Sequence, residues 1–75
     1  MRIEFSNHAL DQLKVRSRIT RRMVLDAVQH PDNVIESYRD RRVYQKVYGK
    51  ETLEIVAIWE HNILIIITEY FLEEI

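Results

Sequence analysis

The sequence predicts an α+β domain in which a helical hairpin lies on one face of an antiparallel sheet. Three observations lead there. Leu53–Tyr70 reads as two long apolar strands folded back on each other. The segment from Ser6 to His30 carries two short amphipathic helical patterns, each opened by a capping hydroxyl. Between them and the hairpin, Arg42–Tyr48 alternates as a half-buried strand does.

The chain is organised around Leu53–Tyr70. Strands Leu53–Glu60 and Ile63–Tyr70 turn back through His61-Asn62, and Asn tolerates the positive φ that a two-residue hairpin needs. Such a turn pairs Glu60 with Ile63. An unbroken ladder then puts Trp59–Leu64, Ala57–Ile66, Ile55–Thr68 and Leu53–Tyr70 on one face. Ile58–Ile65, Val56–Ile67 and Glu54–Glu69 share the other. The first face is apolar along nearly its whole length and is the expected core face. The second carries an apolar centre of Val56, Ile58, Ile63, Ile65 and Ile67 between glutamates. One helical hairpin cannot cover both faces, so the second is expected to be buried by a partner, foremost another copy in a homodimer.

Upstream, Arg2–Phe5 is short and β-prone, which suits an edge strand. Ser6 stands as N-cap of a helix running to about Arg16, with Ala9, Leu10 and Leu13 as its apolar stripe. At 100° per residue, His8, Gln12 and Arg16 form a row along the border of that stripe. Thr20 caps a second helix, with Met23, Val24, Ala27 and Val28 on its apolar face, and Pro31 ends it. Ser17-Arg18-Ile19 joins the two as an antiparallel hairpin.

Val34–Tyr38 reads as a strand and Arg39-Asp40-Arg41 as a turn. In the next strand Arg42, Tyr44, Lys46 and Tyr48 point to one side, and Gly49–Thr52 is a four-residue loop. Pairing Tyr48 with Leu53 gives cross-strand rows Lys46–Ile55–Thr68 and Tyr48–Leu53–Tyr70, with Lys46 and Thr68 on one face. Phe71–Ile75 is a short apolar and acidic tail.

With 75 residues the chain makes a single domain, 1–75, near the lower limit for folding alone. The absence of cysteine excludes disulfides and thiolate metal sites. His8, His30 and His61 lack the spacing of helical metal ligands, and no cofactor motif is present, so neither metal nor cofactor is expected. No signal-peptide pattern opens the chain and no apolar run reaches membrane-spanning length, so a cytoplasmic protein that does not enter membranes is expected.

All eleven Lys and Arg fall in residues 1–50, against six acids there, whereas residues 51–75 carry six Glu and no basic residue. Either the halves neutralise each other across the fold, or one surface offers cations to phosphate and another an acidic patch to a basic partner.

Two groups of residues point to chemistry. His8 sits in a first helical turn, at the positive end of the dipole, where a neutral imidazole can act as a general base or donate to a phosphate. It can equally be a helix-start histidine bonded to Asp11 or to the strand beneath. Arg42-Tyr44-Lys46-Tyr48 can form a phosphate-and-base platform, since cations hold phosphates and aromatics stack on bases. The same pattern suits an ordinary half-exposed edge strand.

Taken together, Phe5-Ser6-Asn7-His8-Ala9, Arg16 eight residues after His8, Ile19-Thr20, His30-Pro31-Asp32, Tyr44-Gln45-Lys46 and Ile66-Ile67-Thr68-Glu69-Tyr70 resemble the DUF4258 domain. That family is grouped with the RelE/ParE-like toxins and the wider set of small metal-independent ribonuclease toxins. The resemblance implies an N-terminal helical hairpin packed on a four-stranded antiparallel sheet, with five strands if the N-terminal edge strand joins. It also implies a functional surface marked by His8, Arg16 and Thr68, and a cognate antitoxin as partner. Gln12 stands where many members carry Arg.

The expected function is a toxin-like, metal-independent endoribonuclease. His8 is the acid–base group, Arg16 and Lys46 stabilise the phosphorane, and Thr68 orients it. Tyr44, Tyr48, Tyr70 and Arg42 bind the RNA. The alternative is a non-catalytic module of the same fold that binds RNA or a partner protein.

Overall fold

A computed structural model of the chain describes residues 2–72. The elements run β1 (Arg2–Phe5), α1 (Asn7–Val15), α2 (Arg21–Gln29), β2 (Asn33–Glu36), β3 (Arg41–Tyr48), β4 (Glu51–Glu60) and β5 (Ile63–Phe71). They form a five-stranded sheet in the order β1-β5-β4-β3-β2. Both expected caps are present. Ser6 Oγ accepts the Ala9 N–H at 3.0 Å and Thr20 Oγ1 accepts the Met23 N–H at 3.1 Å.

The architecture corrects the expected one. The sheet is mixed rather than four-stranded antiparallel, because β1 pairs with β5 in parallel, from Arg2↔Ile63 to Phe5↔Ile66. Nor is there an N-terminal helical hairpin, since the helices follow β1. Each packs on the sheet rather than on the other, α1 over β5 and β1, α2 over β3 and β4. The physical reason lies in the anchoring of β1. Its end hands over to α1 at the middle of β5, where the Ser6 N–H donates to the Ile66 carbonyl at 2.9 Å.

His61 and Asn62 both have positive φ, 50° and 64°, which is the expected two-residue turn. Glu60↔Ile63 through Ala57↔Ile66 follow as predicted. Beyond them the register slips. Val56 pairs with Thr68, Ile55 with Glu69, Glu54 with Tyr70 and Leu53 with Phe71, leaving Ile67 as an extra residue in a β-bulge. The predicted pairs Val56–Ile67, Ile55–Thr68, Glu54–Glu69 and Leu53–Tyr70 are therefore not formed.

The Gly49–Thr52 loop is also shorter than expected. Gly49 takes φ 65°, so Gly49-Lys50 alone makes the turn and Tyr48 pairs with Glu51. A shift of two residues conserves the face, so Tyr44, Lys46 and Tyr48 remain on the core side. The rows become Tyr44–Ile55–Glu69 and Lys46–Leu53–Phe71. Strand β2 ends at Glu36, two residues earlier than predicted.

The core lies between the helices and one sheet face. Ala9, Val24, Ala27 and Val28 from the helices meet Leu53, Ile55, Ala57, Leu64 and Ile66 from β4 and β5. That face is the predicted one. The residues of the tail beyond Leu72 lie outside the described residues.

Candidate functional site

Helix α1 is seated along the second half of β5, taking over where β1 stops. At its start, Ser6 Oγ donates to the Ile67 carbonyl at 3.2 Å. Past its end, Val15–Ile19 line a groove of about 370 Å³ together with Glu51, Phe71 and Leu72. Of the β5 residues here, Glu69 faces the helix side, and Thr68 and Tyr70 face the outer side of the sheet. On α1, His8, Gln12 and Arg16 occupy successive turns, as their spacing requires. His8 and Arg16 are exposed and Gln12 is half-buried. Arg16 Nε donates to Gln12 Oε1 at 2.8 Å, so the row is a connected one at its C-terminal end.

Glu69 is the functional candidate the sequence reading missed. It is fully buried, and neither carboxyl oxygen has a hydrogen-bond partner among the described residues. Burial pushes its carboxyl up to about 7, against the opposing pull of its own backbone N–H dipole and the Arg16 charge. Strict alternation places Glu69 on the outer face beside Glu54, and only the bulge at Ile67 turns it inward. The readable signal was the like-charge Glu54–Glu69 pair that an unbroken ladder would create. A buried, unpartnered carboxyl close to neutral in pKa, next to a guanidinium, is an uncommon arrangement in a purely structural core.

The four predicted catalytic residues do not gather at one point. His8 stands in the first turn of α1 and Arg16 at its C-cap, with Gln12 between them. Thr68, moved by the bulge, faces the outer side of the sheet with Val56, while Lys46 is on the core side. Lys46 is also committed elsewhere. Its Nζ donates to the His30 carbonyl at 2.7 Å and lies 3.8 Å from Asp26 Oδ2, closing the C-terminus of α2.

The predicted RNA platform is likewise altered. Tyr44 is buried in the core and offers no ring to a base. The Tyr48 hydroxyl donates to Asp26 Oδ2 at 3.1 Å, and burial with this acidic contact pushes it up to about 12. The Tyr70 hydroxyl donates to Glu54 Oε2, and burial with that bond raises it to about 12 as well. Arg42 lies over the Trp59 ring, 5.7 Å from its centroid, and 3.6 Å from Glu36.

The exposed cations concentrate instead between the helices. Lys14, Arg16, Arg18, Arg21 and Arg22 are all exposed, with no acid interspersed. Arg18 pairs with Glu51 and covers the Phe71 ring, and Arg21 lies 4.9 Å over the Phe5 ring. A second groove of about 710 Å³, lined by Asn7, Asp11, Lys14, Thr20 and Arg21 among others, opens beside them. Among the described residues, no group of three or more His, Asp and Glu is placed to hold a metal ion, and no helix is long and apolar enough to cross a membrane.

A family model described as a domain of unknown function, DUF4258, matches residues 5–71. No curated protein matches the chain, and no solved structure does.

Proposed function

The chain belongs to the DUF4258 family, and from that premise we propose that it is a toxin-like, metal-independent endoribonuclease working from the α1–β5 seam. The observation that carries this reading is the His8–Gln12–Arg16 row, exposed at His8 and Arg16, which opens onto the cationic segment Lys14–Arg22. Cations of that segment attract the RNA backbone, and its binding weakens with salt. At the seam, His8 takes the proton of a 2′-hydroxyl. The 2′-oxygen attacks phosphorus, the bond to the 5′-oxygen breaks, and that oxygen takes up a proton from the imidazolium or from water. Arg16, drawn back one turn toward His8 by its 2.8 Å bond to Gln12, stabilises the charge that builds on the phosphorane. The resemblance to RelE/ParE-like toxins supports the same reading, and with it a cytoplasmic setting and a cognate antitoxin.

A second reading, a non-catalytic RNA-binding module, is favoured by one observation. Lys46 serves α2 and Thr68 faces away, which leaves fewer groups around His8 than the expected site held.

One experiment separates the readings. Purified protein is incubated with RNA, with and without ribosomes, and binding is measured alongside cleavage. Cleavage by the wild type that His8→Ala abolishes, with binding and circular dichroism retained, supports the enzyme. RNA bound but uncut by the wild type makes the protein a binding module. Absence of both binding and cleavage overturns each.

A further inference from the structure

We propose that the outer face of the sheet is the interface of a symmetric homodimer, whose twofold axis runs along the strands between β4 and β5. This inference is independent of the ribonuclease reading. Both helices are committed to the opposite face, so among the described residues no helix packs over Val43, Val56, Ile58, Ile63, Ile65 and Ile67, which their own sheet leaves half-buried. Ile35 and Val47, at the margin of the same face, are 44% and 54% exposed. Apolar surface of this kind forfeits roughly 25 cal/mol per Å² in water and marks a contact surface.

The identity of the partner follows from the charges at the margins. The register aligns Glu4, Ile65, Ile58 and Arg41 across β1, β5, β4 and β3, all on the outer face. This row has an acid at one end, a base at the other and two isoleucines between. Rotating a copy by half a turn about an axis between Ile58 and Ile65 reverses the row. Glu4 then faces Arg41 of the partner, and Arg41 faces the partner's Glu4, while the isoleucines stack on one another. A surface that complements its own reversal is what an isologous contact requires. Arg41 is exposed and has no carboxylate partner among the described residues, and Glu4, whose Oε2 lies 2.8 Å from Arg2, keeps Oε1 for the partner's Arg41.

The polar groups on this face also suit burial. Asn33 Nδ2 donates to Gln45 Oε1 at 3.1 Å, Gln45 Nε2 to Glu54 Oε1 at 2.7 Å, and the Tyr70 hydroxyl to Glu54 Oε2. Both oxygens of the Glu54 carboxylate are thus satisfied from within the chain. Covering them with a second sheet strands no acceptor, which avoids the cost of leaving a buried oxygen without a hydrogen bond.

The test is analytical ultracentrifugation at micromolar concentrations of the full chain and three variants. The wild type is expected at twice the 9.1 kDa chain mass. Ile58→Lys is expected to be a folded monomer, because it places a charge on the axis. Glu4→Arg and Arg41→Glu should each weaken the dimer by about tenfold or more, since each sets like charges face to face twice. Mixing these two variants restores both ion pairs, so the mixture should form a heterodimer of wild-type strength. A monomeric wild type overturns the proposal. So does a dimer that survives Ile58→Lys, or a mixture no stronger than its parts.

Discussion

The Tyr70 hydroxyl donates to Glu54 Oε2 across β4 and β5, and this contact exists because Ile67 is extruded as a bulge. In an unbroken ladder Glu54 would face Glu69, two like charges side by side. The bulge replaces that repulsion with a hydrogen bond and sends Glu69 into the core.

Removing the hydroxyl should show how much of the register rests on it. Tyr70→Phe keeps the ring and leaves Glu54 with Gln45 as its remaining donor. A hydrogen bond to a charged group contributes roughly 1.5–3 kcal/mol. The melting temperature should therefore fall by several degrees, with the far-ultraviolet spectrum unchanged. A variant that melts with the wild type would show that the bulge is held by packing alone.

The buried Glu69 predicts a pH dependence of stability. Its folded pKa, about 7, lies above the ordinary carboxylate value of 4.5. Between those two values the folded chain holds more protons than the unfolded one, so stability falls as pH rises through that window. Above about 7 the charged carboxyl sits in the core beside Arg16 without a hydrogen-bond partner, and the full cost is present. Glu69→Gln is neutral at every pH and nearly isosteric. It should raise the melting temperature at pH 8 and change it little at pH 4. Equal effects at both values would show that Glu69 is not the titrating group.

These contacts also show what the chain discloses about itself. The two capped helices, the His61-Asn62 turn and the core face of the hairpin were legible because each depends on neighbours close in sequence. The direction of β1 was not. Alternation gives the faces of a strand but not its orientation, and the decisive contact, Ser6 to Ile66, spans most of the chain. The bulge was hidden for a related reason. Ile66-Ile67-Thr68 reads equally well with either residue facing inward, and nothing local says that one is extruded. Since a single inserted residue reverses every side chain beyond it, Thr68 and Glu69 exchanged faces and the predicted site lost one member and gained another. His8, Gln12 and Arg16 kept their relation because a helix fixes it internally.

Lys46 and Arg16 were paired in the sequence reading as phosphate ligands, and the structure gives them different surroundings. Lys46 Nζ donates to the last turn of α2 through His30, and its side chain is only 21% exposed. Its charge already serves the negative end of a helix, an arrangement that contributes roughly 1 kcal/mol. Arg16 is exposed, its only side-chain hydrogen bond among the described residues is to the neutral Gln12, and it stands at the edge of the cationic segment. Lys46→Ala should therefore lower the melting temperature by several degrees and leave RNA binding and cleavage at wild-type levels once the protein is folded. Arg16→Ala should do the reverse, with stability nearly unchanged and cleavage reduced about tenfold or more, as expected for loss of a cation that contacts the reacting phosphate. It should also make RNA binding less sensitive to salt, by about one phosphate contact in the slope. If Lys46→Ala loses cleavage while retaining its melting temperature, RNA must draw Lys46 away from His30. The seam would then extend beneath α2 instead of ending at α1.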